Sequence, residues 1–342
     1  MKTHSGTKPL SRRVLIAGSA SALGAASLAR PAAAEQVIRL ATQYNLTQAI
    51  GQSYDRWAKQ VTDKAAGALT VKVFRNRTLI DSVESFAAVK SGSVEASNMI
   101  AGFQAGDIPD LAVLQLPFLF DDHAHYRRTL RAGLFQMLAG RYAENNIKLL
   151  NYFPKGAVHI YSRGGFFDSP EALKGRNIRV VGGLQSAMLQ TLGANPVTLP
   201  GGEVMAALQR GVVDGVITNF DGYIGFSYYQ QANYVFACYA AEDGEALGIN
   251  LAVFNALPPT LQKIMTDAAQ EMEDENWKGM EAVDYGGVAE QKWADLKLHV
   301  EKATPAQRAD LKARLRPLYD KALAELKLAP AIIKLADETR AA

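Results

Sequence analysis

Cysteine is nearly absent from the 342-residue chain: Cys238 stands alone, which excludes a disulfide framework and a cysteine zinc site. Histidine is scarce too, with five, and no H-E-x-x-H pair occurs among them. The chain also lacks a G-x-x-x-x-G-K-S/T phosphate loop, a G-x-G-x-x-G turn and a G-x-S-x-G nucleophile elbow. These absences remove the usual signatures of nucleotide binding, zinc hydrolysis and serine hydrolysis. No lysine or arginine cluster gives an electrostatic footprint for nucleic acid or anionic lipid, and no apolar run reaches the roughly 20 residues of a membrane-spanning helix.

What is present begins with an export pattern. Lys2, Lys8, Arg12 and Arg13 precede an apolar run from Val14 to Leu28, and Ala32-Ala33-Ala34 follow it, the order of a secretory signal with cleavage after Ala34. Ser11-Arg12-Arg13-Val14-Leu15 has the paired-arginine form of twin-arginine export, and Gly18, Ser19, Ser21, Gly24 and Ser27 dilute the apolar run in keeping with it. The other reading is an ordinary secretory signal that happens to hold two arginines. Without residues 1–34 the chain loses five of its 37 basic residues and no acid, leaving 32 basic against 34 acidic. The mature protein is expected to be near neutral, soluble and periplasmic.

From Glu35 strand and helix patterns alternate. Val37 to Ala41, Leu69 to Phe74 and Glu95 to Ile100 read as strands, with helices at Gln48 to Ala65 and Val83 to Ser91 between them, which predicts a parallel sheet. A second unit follows, with strands at Leu149 to Phe153, Val158 to Ser162, Ile178 to Val181 and Val213 to Thr218, and helices at Leu184 to Leu192 and Glu203 to Arg210. Pro258 and Pro259 open a long helix bent at Gly286-Gly287, and Thr304-Pro305-Ala306-Gln307 reads as a capping box opening a last helix to Lys327. The expected fold is α/β, a two-lobed periplasmic-binding-protein fold with a ligand cleft between lobes and a long bent helix spanning both. Its division is a signal segment at 1–34, lobe one at 35–156, lobe two at 157–246, a return to lobe one at 247–285, and 286–342 packed on lobe two. Asp121-Asp122-His123-Ala124-His125 is the one histidine cluster, but a spacing of two suits neither face of a helix, so it reads as a solvated helix start. No metal, cofactor or catalytic set is expected.

Arg179 raises the sharpest question, because it lies inside the short apolar run Asn177-Ile178-Arg179-Val180-Val181. A buried guanidinium needs a partner. On the residues alone, a ligand's carboxylate and an internal ion pair with Glu203 or Asp214 are equal readings.

The surrounding blocks decide between them by resemblance. Ala172 to Val180 (ALKGRNIRV), Leu192 to Val197 (LGANPV) and Glu203 to Gly215 (EVMAALQRGVVDG) resemble the lobe-two signature of solute-binding proteins of tripartite ATP-independent periplasmic (TRAP) transporters, the dicarboxylate-binding type. Pro109-Asp110-Leu111 with Leu116 to Phe120 resembles that family's lobe-one segment, and the similarity runs from Ile38 to about Leu326. It implies that Arg179 grips a ligand carboxylate through two parallel hydrogen bonds, a fit of planar fork to planar acid. The family asparagine after Asp-Gly falls one position late, at Asn219, which is carried as a candidate; Asp214 itself reads as a turn residue bonding backbone amides. Many sugar-acid and dicarboxylate binders hold another arginine about twenty residues upstream, where this chain has Val158, with His159 beside it and Lys155 just before. The missing arginine points away from a strictly dicarboxylate ligand. His159, Tyr223, Phe103, Asn45 and Gln43 complete the candidate set, the last two from the end of the first strand, where open α/β sheets bind ligands. The implied function is capture of an organic acid and its delivery to the small and large TRAP membrane subunits by a monomer. An extracytoplasmic sensor would use the same site, and an enzyme would need a constellation the sequence lacks.

Overall fold

The computed structural model describes residues 36–340; the export segment read in the sequence lies outside them. Two sheets are built on one shared strand. In the first, β1 (Gln36–Ala41) lies between β2 (Leu69–Phe74) and β3 (Ala96–Ile100), all parallel. The second is joined to it through β4 (Ile147–Ser162), a 16-residue strand of about 50 Å at the usual rise. Its partners there are β7 (Gly215–Asn219) and β8 (Tyr234–Ala237), both antiparallel. β5 (Asn177–Val180) runs parallel to β7 and to β6 (Asn195–Thr198), and β9 (Glu242–Asn250) bridges β3 to β4. A last strand, β10 (His299–Lys302), extends the second sheet beside β8. The order β2-β1-β3-β9-β4-β7-β5-β6 is continuous, yet each half carries its own helices, which makes two lobes.

The strand at β4 corrects the sequence reading, which divides it at Pro154. Pairing slips between Leu149 and Asn151 and again between Pro154 and Gly156, so Leu150 and Lys155 are bulge residues. Proline is tolerated there because a bulge interrupts the ladder that needs its missing N–H. Asn151 bridges the first slip: its Oδ1 accepts from Leu247 N at 3.0 Å and its Nδ2 donates to Ala269 O at 2.9 Å.

Helical segments follow their patterns where proline and glycine do not intervene. The Ala49–Lys64 helix buries Ile50, Tyr54, Trp57, Ala58 and Val61, the stripe its spacing predicts. The long helix ends at Asp284, and Gly287 at φ 86° separates it from Val288–Asp295, so the expected single bent helix is two. The expected last helix also divides, into Pro305–Arg314 and Arg316–Glu325, because Pro317 cannot continue the hydrogen-bond ladder. Ala329–Arg340 is a further helix that the sequence reading omits. Within the stretch assigned to lobe two, β10 lies beside β8 of the second sheet, while the last two helices also reach loops of lobe one. Tyr319 donates to Pro117 O at 2.8 Å, Leu328 N to Asp110 Oδ1 at 2.9 Å, and Arg340 pairs with Asp121, tying these helices to lobe-one loops. The Thr304 capping box is present, with Gln307 N bonded to Thr304 Oγ1 and Thr304 N to Gln307 Oε1. No helix of the described residues is long and apolar enough to cross a membrane.

Trp57 joins the first helix to the long one, fully buried and donating from Nε1 to Met265 O at 3.3 Å. Trp57→Ala is expected to lower unfolding free energy by roughly 3–5 kcal/mol, read from the midpoint of urea denaturation.

Candidate functional site

A pocket opens between the lobes, at the carboxyl ends of β1, β3, β5 and β7. This is where parallel α/β sheets place ligands, because the chain leaves each strand there and diverging loops leave a crevice. Lobe one contributes Gln43 and Tyr44 after β1, Ile100 at the end of β3 and Phe103 beyond it. Arg179, Val181, Ile217, Thr218 and Asn219 come from the ends of β5 and β7, and Lys155, Gln185, Phe226 and Tyr228 complete the wall.

Of the candidates read in the sequence, the structure brings Arg179, Asn219, Gln43 and Phe103 together in this lining. Arg179 is 3% exposed, with Nε donating to Leu199 O at 2.9 Å. Asp214 is occupied by Asn177 N at 2.9 Å and Glu203 lies exposed in its helix's first turn. Asp214 thus has the turn role expected of it, and β7 begins at Gly215, within the expected strand Val213 to Thr218. Asn219 caps the Phe220–Gly225 helix, accepting from Gly222 N at 2.9 Å. Gln43 accepts from Ser82 Oγ at 2.7 Å.

His159, Tyr223 and Asn45 are placed elsewhere. The His159 ring is fully buried among Tyr161, Tyr239 and Trp293, and burial pushes its pKa down to about 4. Tyr223 stacks on Tyr161 with ring centres 3.7 Å apart and donates its hydroxyl to Ala232 O. Asn45 closes a local turn, its Oδ1 accepting from Thr47 N at 2.8 Å.

Lys155 is a cationic lining residue that the candidate set omits. Counting along a regular strand selects Val158, which is buried in the core, whereas the bulge turns Lys155 into the cavity. The Pro154-Lys155-Gly156 sequence was the available signal, since proline and glycine mark a break in a strand pattern.

Two polar contacts cross the cleft. Ala49 N, at the start of its helix, donates to Asp221 Oδ1 of lobe two at 3.2 Å, and Leu184 N donates to Gln115 Oε1 of lobe one at 3.1 Å. Asp221 is only partly covered as a residue, but its Oδ2 is enclosed without a hydrogen-bond partner. Burial pushes its pKa up to about 6, against the opposing pull of the Ala49 amide and the Lys155 charge.

A second polar cluster lies beside the crossover of β4. His123 is buried with Nδ1 2.8 Å from Glu242 Oε2 and Nε2 2.8 Å from Asp284 Oδ2, which corrects the expectation of a solvated helix start. The Nε2 contact is a well-directed hydrogen bond, while the Nδ1 contact is close but poorly aligned, so its attraction is chiefly coulombic. Burial alone would lower the His123 pKa; Glu242 and Asp284 outweigh it and hold it at about 10. With a carboxylate against each nitrogen, the ring serves as the cation between two anions. His125 is turned away: it accepts from Asp121 N at Nδ1 and donates from Nε2 to Ala336 O at 2.7 Å.

A two-lobed α/β fold with a crevice at the strand ends defines a class of ligand-capturing proteins. The family model for bacterial extracellular solute-binding protein, family 7, matches residues 40–326, and the chain belongs to that family. A solute-binding protein of Chromohalobacter salexigens is 27% identical over 276 residues, covering 80% of this chain and 81% of its own. A TRAP periplasmic solute-binding protein of Xanthobacter autotrophicus with bound β-D-galacturonate matches with a TM-score of 0.79 at 25% identity, over 89% of this chain and 99% of its own. An extracytoplasmic solute receptor of Bordetella pertussis binding pyroglutamic acid shares the fold with a TM-score of 0.83 at 21% identity, over 88% and 99% of the two chains.

The raised pKa of Asp221 fixes the sign of one pH effect. The folded protein holds that proton more tightly than the unfolded chain, so the contribution is complete below the ordinary value of 3.8 and is lost as pH rises to about 6. Thermal unfolding from pH 4 to 7 should show the wild type losing stability relative to Asp221→Asn, with the gap levelling off above about pH 6.

Proposed function

We propose that this chain is the periplasmic binding subunit of a TRAP transporter, capturing a carboxylate-bearing organic acid between its lobes and delivering it to the membrane subunits. The observation that carries the reading is Arg179, which lines the cavity at the end of β5 on a strand otherwise made for burial. A guanidinium stays charged at any working pH and its planar fork matches both oxygens of a carboxylate, an interaction strengthened when the cleft excludes water. Lys155 adds a second cationic group on the same wall, suited to a further acceptor on the ligand. Phe103, Phe226 and Tyr228 offer apolar faces for its body. The relatives with bound galacturonate and pyroglutamic acid both hold small organic acids, in agreement with this class.

A thermal-shift screen of monocarboxylates, dicarboxylates, sugar acids and keto acids tests it. A ligand at 100 times its dissociation constant stabilises by about 2.7 kcal/mol, a shift of roughly 5 °C for a chain of this size. Hits are expected among carboxylates only, and are lost in Arg179→Ala. A neutral ligand that shifts wild type and Arg179→Ala equally would overturn the carboxylate clamp.

A further inference from the structure

We propose that the buried His123 ring is a positioning residue for the ligand cavity: with Glu242 and Asp284 it holds the Lys155–Gly156 bulge in the shape that turns Lys155 into the cleft. This rests on the proposed reading of the cavity, which His123 does not itself line.

The link runs through one carboxylate oxygen. Asp284 Oδ2 accepts from His123 Nε2 at 2.8 Å and from Ala157 N at 2.7 Å, and Ala157 is the second residue after Lys155. Bulges displace backbone N–H groups from the ladder, and a buried one requires another acceptor. Asp284 is that acceptor. Gly156, between them, has φ 113°, and a Cβ there would lie 3.0 Å from Asp284 Oδ2 and 3.4 Å from the Cβ of Asn219, a cavity residue. The bulge is therefore enclosed by the Asp284 carboxylate on one side and the ligand wall on the other.

Glu242 fixes the same point from the opposite strand. It pairs in register with Ala157, and its carboxylate receives the Tyr285 hydroxyl at 2.5 Å as well as the His123 charge. Without the ring's positive charge two buried carboxylates face each other, which is unfavourable unless one takes a proton or turns away. Either change removes or weakens the acceptor for Ala157 N, and the bulge loses the bond that shapes it. Lys155, its side chain set by that local twist, would then leave the cavity wall.

His123→Gln is the direct test; should it fail to fold, His123→Gln/Glu242→Gln removes the cation together with one anion and takes its place. In ¹⁵N-labelled protein the variant should shift the amide resonances of Lys155, Gly156 and Ala157, and speed hydrogen exchange at Ala157 by roughly tenfold or more. With D-galacturonate and pyroglutamate as probes, the variant should weaken binding by about tenfold when Lys155 is present and by less than about twofold in a Lys155→Met background, the non-additivity expected of residues acting through one another. Equal losses in both backgrounds, or unmoved bulge resonances, would overturn the positioning role. If neither probe binds wild type, the cavity reading loses its support on that count alone, and the bulge resonances and Ala157 exchange still decide the role of His123.

Discussion

Strand β4 is hydrogen-bonded into two sheets at once, and the elements that line the cleft take their places from it. Its pairing with β9 ends at Ala157 opposite Glu242, and its pairing with β7 begins at the next residue, Val158 opposite Asn219. The change of partner and the second bulge thus fall within a few residues of each other. A continuous ladder resists bending, whereas a bulge concentrates twist and gives up ladder bonds. The cavity lies beside this weakest point of the strand, with Lys155 supplied by the bulge and Asn219 by the first pair beyond it.

Around this crossover the protein gathers buried charge in two places. Where the charge is structural, partners are supplied internally. Glu245, fully buried, receives the hydroxyls of Tyr44 and Tyr54 at 2.5 and 2.7 Å, and burial together with the Glu245 charge holds both phenols well above their ordinary pKa. His123 likewise sits between two carboxylates. At the cavity the cationic side chains Arg179 and Lys155 come from a strand end and a bulge. A cleft with cationic groups in its wall favours an anion that brings its own hydrogen-bond acceptors.

Much of this was legible in the sequence, and the rest was hidden for physical reasons. Strict alternation and helical spacing located β1, β2 and the Ala49–Lys64 helix within a residue or so, since local pattern determines which face is buried. Arg179 stood out because a charge in a β-branched run is anomalous on its own. Lys155 did not, because counting along a strand assumes a period of two and a bulge breaks it. His123 looked solvated in the polar run Asp121 to His125, and the carboxylate that buries it with a hydrogen bond, Asp284, is 161 residues away. His159 and Tyr223 have side chains suited to a ligand, but tertiary packing gave their rings to the core.

The two contacts across the cleft have a common form. Ala49 and Leu184 each begin a helix whose own N-cap residue, Gln48 or Gly183, makes no side-chain cap, and each receives its acceptor from the other lobe. First-turn N–H groups have no partner within a helix, so separation of the lobes hands these donors to water rather than leaving them unsatisfied. Each cap is therefore worth only about 1 kcal/mol net, and closure must also bury Asp221 against its preference for solvent. Under the proposed function, such small terms leave the choice between an open and a closed arrangement to the ligand. Under the proposed function, the remaining free energy comes from a ligand that touches both lobes together, and Arg179 and Gln43, facing one cavity from opposite lobes, are placed to supply it.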